Sequence, residues 1–206
     1  MKLAVFDFDS TLMDGETIDI LAFAYGVGDE IKTITDKAMA GEIDFYESLK
    51  KRVSLLRGMP YKEVQNICKN LPYIDGAKET IKSLQTAGYT VVCLSGGFRV
   101  ATKYAKNILG FDAEFSNILH QKDGYLTGQV GGEMMFEFSK GDMINRLQTL
   151  LKIDIEDTIT IGDGANDISM FDYSSKKVAF CAKPALQKKA NIIIKKKNLT
   201  EILKYI

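Results

Sequence analysis

The chain has 206 residues, with 27 lysines and arginines balancing 27 aspartates and glutamates, so its formal charge at neutral pH is zero. Its 46% hydrophobic and 26% charged residues are globular proportions, which exclude disordered and fibrous classes. Balanced charge gives no bulk reason to bind nucleic acid or an anionic membrane, and no apolar run approaches the ~20 residues that span a bilayer. The first apolar run, residues 3–6, meets Asp7 and Asp9 too soon for a signal-peptide core. Three cysteines, Cys68, Cys93 and Cys181, are an odd number without paired spacing, which argues against a disulfide framework and predicts a cytoplasmic protein. The single histidine, His120, rules out histidine-rich metal sites and reads as a solvated hairpin residue.

In chain order, residues 2–8 read as a short buried strand. Residues 15–71 contain no strand pattern, only helical segments at 16–25, 29–40, 44–56 and 60–70, punctuated by glycines and Pro60. This predicts a small helical cap, residues 15–71, inserted into a core of residues 1–14 and 72–206. A helix over 75–87, with Asp75 as its N-cap, precedes a strand at 89–94. Residues 117–133 carry a hairpin signal centred on Lys122-Asp123-Gly124-Tyr125. A helix at 140–152, strands at 157–161, 177–180 and 191–194, and a closing helix at 198–205 complete the pattern. The fold class predicted is α/β: a Rossmann-like, doubly wound, mostly parallel sheet with an inserted helical cap and a short β-hairpin. Gly15 and Gly76 stand in the two connections between cap and core and are expected to absorb rotation. Ligands of such sheets sit beyond the carboxyl ends of the strands.

Acidic residues cluster at those ends. Asp7 and Asp9 close the first strand, and alternate residues of an extended chain point to one side. Two close carboxylates repel unless a cation or shared proton relieves them. Asp163 ends the strand at 157–161 within Gly162-Asp163-Gly164-Ala165-Asn166-Asp167. Converging carboxylates and carbonyls, without nitrogen or sulfur, make a magnesium site. Ser95-Gly96-Gly97 ends a third strand and offers a hydroxyl and free amides to an anion, and Lys140 stands at a helix entry. These parts describe a metal-held phosphate beside a carboxylate nucleophile.

Asp7-x-Asp9-x-Thr11, Ser95-Gly96-Gly97, Lys140 and Gly162-Asp163-Gly164-x-x-Asp167 resemble, in order and spacing, the haloacid-dehalogenase-like hydrolases. The wider pattern, including Phe180-Cys181-Ala182-Lys183-Pro184, resembles the phosphoserine phosphatase branch over nearly the whole chain. The resemblance implies Mg²⁺-dependent hydrolysis of O-phospho-L-serine, the last step of serine biosynthesis, by a cytoplasmic monomer or homodimer. It implies that Asp7 is the nucleophile forming an aspartyl-phosphate and Asp9 the general acid and base. Asp7, the Asp9 main chain and Asp163 would hold the metal, with Asp167 in its outer shell. Ser95, Gly96 and Lys140 would bind phosphoryl oxygens, and Asn166 would contact the same region. Glu16 and Arg52 would read the ammonium and carboxylate of the substrate, with Met39 and Phe45 as apolar lid contacts.

Other readings stay open on the residues alone. A phosphotransferase passing the group to an alcohol such as homoserine, or a broader small-metabolite phosphatase, would use the same residues. A non-catalytic phosphate-binding module would be favoured if one of Asp7, Asp9, Lys140 or Asp163 were missing, and all four are present. Cys93 to Arg99 also reads C-x-x-G-x-x-R, the pattern of cysteine-dependent phosphatases. Cys93 falls two residues before the strand end, no histidine precedes it, and no Ser or Thr follows Arg99, so a buried strand cysteine is expected.

Overall fold

A computed structural model of the chain describes residues 1–39 and 42–206, apart from the side chain of Met39. The sheet is built on β1 (Lys2–Phe6), whose alternating residues enter two different cores: Ala4 and Phe6 on one face, Leu3 and Val5 on the other. A strand buried on both sides reads as a continuous apolar run, which is why KLAVF carries no polar residue after Lys2. Parallel to β1 lie β2 (Tyr89–Phe98) on one side and β5 (Thr158–Gly162) on the other. Outward from β2 come β3 (Ala113–Lys122), parallel, and β4 (Tyr125–Gly131), antiparallel to β3. Outward from β5 come β6 (Lys176–Phe180) and β7 (Ile192–Ile194), both parallel. The order is therefore β4-β3-β2-β1-β5-β6-β7, with the change of winding direction at β1.

Helices α1 (Thr17–Tyr25), α2 (Gly28–Met39), α3 (Phe45–Leu55) and α4 (Tyr61–Lys69) follow β1 without an intervening strand. α5 (Ala77–Thr86) and α6 (Arg99–Leu109) share the first core, while α7 (Ser139–Leu151) covers the opposite face through Met143, Ile144 and Leu147. The short α8 (Ile168–Phe171) and α9 (Pro184–Gln187) follow β5 and β6. Among the described residues no helix is long and apolar enough to cross a membrane.

The structure corrects several sequence expectations. β1 ends at Phe6 rather than residue 8, because the Phe8 carbonyl accepts the N–H groups of Thr11, Leu12 and Met13 and turns the chain out of the sheet. The hairpin is an extension of the main sheet, since β3 pairs with β2 from Val92–Ala113 onward. The first half of β3 gives no apolar strand pattern, since it carries Glu114, Ser116 and the buried Asn117, polar residues held by hydrogen bonds to one another or to neighbouring segments. The N-cap before α5 is Gly76 in a left-handed conformation (φ 76°), not Asp75. A Cβ on Gly76 would lie 2.6 Å from Asn198 Oδ1, so this glycine is a packed turn as well as a connection. The closing segment, Leu199–Tyr205, is a 3₁₀ helix.

The loop between α3 and α4 is bonded to the β3–β4 hairpin. Gly58 N–H donates to the Leu126 carbonyl (2.8 Å), Leu126 N–H to Met59 (2.9 Å) and Tyr61 N–H to Gly124 (2.8 Å). The hairpin therefore carries the loop between α3 and α4. At the N-terminal end of α3, Tyr46 stacks on Phe136, with ring centroids 5.1 Å apart.

Candidate active site

The carboxyl ends of β1, β2 and β5 open on a cavity of about 710 Å³, and the first turn of α7 brings Lys140 to Asp7. Asp7 follows β1, and its N–H still donates to the Ile161 carbonyl of β5 (2.9 Å), so its position is fixed by the sheet ladder. Lys140, buried at the start of α7, places its Nζ 2.6 Å from Asp7 Oδ1 and 2.6 Å from Asp167 Oδ1. Asp7 Oδ1 also accepts the Phe8 N–H (2.7 Å). The second oxygen of Asp167 accepts the N–H groups of Asp163 (2.9 Å) and Gly164 (3.0 Å), which closes the turn after β5. A side chain at Gly162 would collide with that carboxylate.

Asp7, Asp163 and Asp167 bring carboxylate oxygens within 4.8 Å of one another, a group able to hold a metal ion. Oxygen donors alone, without histidine or cysteine, suit a hard divalent cation. Both oxygens of Asp167 are already engaged by the protein, whereas Asp163 faces the cavity. The donor set therefore fits a cation held directly by Asp7 and Asp163, with Asp167 behind them.

Asp9 is half-buried, and its Oδ1 accepts the N–H (2.8 Å) and hydroxyl (2.5 Å) of Thr17 in the first turn of α1. Thr17 was not singled out in the sequence. Its signal is its place directly after Glu16, at the helix start beyond the turn. Ser95 Oγ accepts the Gly97 N–H at 2.9 Å. Gly97 has no room for a side chain, since a Cβ would lie 2.5 Å from Asp9 Oδ2.

The helices over the strand ends supply the opposite wall. Glu16 accepts the Ser10 hydroxyl (2.8 Å), and Arg52 lines the cavity with its Nε 3.4 Å from the Ser48 carbonyl. The Phe45 ring covers Gly96, where a Cβ would be 2.9 Å from Cζ. Asn166 lines the cavity on the core side. The side chain of Met39 lies outside the described residues. Asp19, Glu137 and Lys183 also line the cavity and had not been predicted.

The haloacid dehalogenase-like hydrolase profile matches residues 4–172. The chain belongs to that family. A phosphoserine phosphatase of Wolinella succinogenes is 63% identical over 206 residues, all of both chains. One from Methanocaldococcus jannaschii is 50% identical over 205 residues, covering 100% of this chain and 97% of the relative. A solved structure described as a phospho-aspartyl intermediate analogue of phosphoserine phosphatase superposes with a TM-score of 0.94 at 50% identity, covering 100% of this chain and 98% of that one.

Within this hydrolase-family site the electrostatics are those of acids short of cations. Burial, the charge of Asp167 and then that of Asp163 hold Asp7 well above the usual carboxylate range, against the pull of Lys140. Burial, then Asp167 and Glu16, push Asp163 up to about 7. Asp9 is raised by burial and restrained by its two bonds from Thr17. Burial and then the charge of Asp9 push Glu16 up to about 7. Lys140 is pulled down by burial, but Asp167 and Asp7 more than reverse this, so it stays charged between them. A single ammonium cannot neutralise three buried carboxylates, so a bound cation would relieve the rest.

The rival cysteine is inert in this setting. Cys93 is fully buried in β2, and burial together with the charge of Asp7 raises its thiol well above the ordinary value. A nucleophilic cysteine needs the opposite shift.

Proposed function

We propose that the chain is a Mg²⁺-dependent phosphomonoesterase that hydrolyses O-phospho-L-serine to L-serine and phosphate through an aspartyl-phosphate on Asp7. The observation that supports it most is the pairing of Asp7 with buried Lys140 and Asp163 under a cavity that also presents Glu16 and Arg52. Hydrogen bonds from Phe8 N–H and Lys140 occupy Oδ1 of Asp7, which leaves Oδ2 as the attacking oxygen. Mg²⁺, held by Asp7, Asp163 and the Asp9 main chain, would supply charge neutralisation at the phosphoryl oxygens. Ser95, the Gly96 amide, Asn166 and Lys140 orient the phosphoryl group. Asp9, held above its usual value, donates a proton to the leaving serine oxygen and then takes one from the attacking water. Residues 15–71 act as the specificity cap over a core of 1–14 and 72–206, with Glu16 on the ammonium, Arg52 on the carboxylate, and Phe45 and Met39 as apolar cover. The cytoplasm suits such an enzyme, whose substrate is a small soluble metabolite.

Selectivity tests this reading. Losing one buried bonded charge costs ~2–5 kcal/mol of recognition, more than a decade in specificity. Glu16→Gln and Arg52→Ala should each lower kcat/KM for phosphoserine at least ~10-fold while sparing p-nitrophenyl phosphate. Equal losses on both esters would make these residues structural, and no preference for phosphoserine in the wild type would sink the substrate assignment.

Metal binding has a stability readout. Asp163 titrates near about 7 in the folded chain, far above its ordinary value. Between those two values the folded state holds the extra proton, so the metal-free protein loses stability as pH rises through that window. A divalent cation binds the ionised form, so its stabilisation grows over the same window and levels off above about 7. Saturating Mg²⁺ should barely move Tm near about pH 5 and raise it by roughly 5 °C near about pH 8. The same shift at both pH values would detach metal binding from these carboxylates.

A further inference from the structure

Asn117 is fully buried in β3, lies outside the cavity lining, and has no part in the roles given above. Its side chain is fully engaged with main chain. Nδ2 donates to the carbonyls of Gly96 and Met134, each at 3.0 Å, and Oδ1 accepts the Met134 N–H, also at 3.0 Å. Gly132 leaves room for it, since a Cβ there would lie 2.7 Å from Oδ1.

The bond to Gly96 falls on the peptide unit between Gly96 and Gly97. The N–H of that same unit is the one that donates to Ser95 Oγ, at 2.9 Å. A peptide unit is planar, so fixing its carbonyl fixes the direction of its N–H. A hydroxyl carries one proton and two lone pairs. With a lone pair of Ser95 occupied by Gly97, the proton is left to be donated elsewhere, and the neighbouring Gly96 and Gly97 line the cavity.

We infer that Asn117 is a positioning residue, which aims the Ser95 hydroxyl at a bound phosphoryl oxygen by holding the Gly96–Gly97 peptide from behind. The role rests on the phosphomonoesterase reading given above. Apolar and acidic replacements would not serve. Leucine would leave the Gly96 carbonyl and both Met134 groups without partners in a dry interior, and aspartate would set a charge against two carbonyls.

The test is a double-mutant cycle read by calorimetric binding of inorganic phosphate to the full chain in the presence of Mg²⁺. Asn117→Ala should weaken phosphate binding about 10-fold when Ser95 is present and less than about two-fold in a Ser95→Ala background. In turnover, kcat/KM should fall by the same factor for phosphoserine and p-nitrophenyl phosphate, because the phosphoryl group is common to both. Thermal melts report whether each variant is folded, and Asn117→Ser, which keeps a small polar group, runs the same cycle if the alanine variant is not. Unchanged phosphate binding, or equal losses in both Ser95 backgrounds, would overturn the inference. A wild-type chain that hydrolyses no phosphate ester would instead overturn the functional reading, while the binding cycle still reports the coupling of Asn117 to Ser95.

Discussion

Asp7→Asn should lower turnover of phosphoserine by roughly 10⁴-fold or more while leaving the chain folded, because it removes the nucleophilic charge and keeps the shape of the side chain. The side chain keeps its size and can still accept the Phe8 N–H on its oxygen. What disappears is a carboxylate whose ionisation is opposed by burial and by Asp167. Stability of the metal-free variant should therefore equal or exceed that of the wild type. Inactivation accompanied by unfolding would show that Asp7 holds the loop rather than attacks. Full turnover by Asp7→Asn, with loss in Cys93→Ser, would transfer the chemistry to the cysteine pattern.

Lys140→Met should fail in both respects. The lysine is the only cation in direct contact with Asp7 and Asp167 among the described residues, at 2.6 Å from each. Breaking a buried ionic cluster by removing one partner costs ~3–5 kcal/mol, because charge is left without compensation in a low-dielectric place. For a chain of this length that is a fall in Tm of about 10 °C. Activity should drop as well, since Lys140 both orients the phosphoryl group and offsets the charge of Asp7. The two effects separate in Lys140→Met with Asp167→Asn. Removing the orphaned carboxylate should recover part of the stability but none of the activity, a non-additivity expected of groups in one network. Recovery of activity in that double variant would reduce Lys140 to a structural role.

The parts of this fold that sequence made legible are those where one physical signal dominates. β1 is apolar on both faces after Lys2, and β2, β5 and β6 each carry a short run rich in β-branched or aromatic residues, the pattern of a buried parallel strand. The helices from α1 to α4 were visible in their periodicity and the glycines between them. β3 was not, because its first half carries the polar residues Glu114, Ser116 and Asn117, whose hydrogen bonds cannot be read from spacing. The carboxylates at the strand ends stood out since strand ends are where ligands bind. The hidden parts of the site are the residues that hold others in place. Thr17 restrains Asp9 across the turn after β1, and Asn117 holds the Gly96–Gly97 peptide from the neighbouring strand, through contacts that residue spacing does not announce. The hairpin's hold on the loop at Gly58–Tyr61 was likewise unreadable, since main-chain bonds leave no mark on residue type.

The most direct measurement is the location of the covalent intermediate. The enzyme is mixed with phosphoserine and Mg²⁺, quenched in acid within milliseconds and reduced with borohydride, which converts an acyl phosphate at aspartate to homoserine. Peptide mass spectrometry should then find homoserine at position 7, absent when substrate or Mg²⁺ is omitted. Conversion at another carboxylate, a phosphate adduct on Cys93, or hydrolysis with no covalent species at any time point would contradict the assignment of Asp7 as the nucleophile.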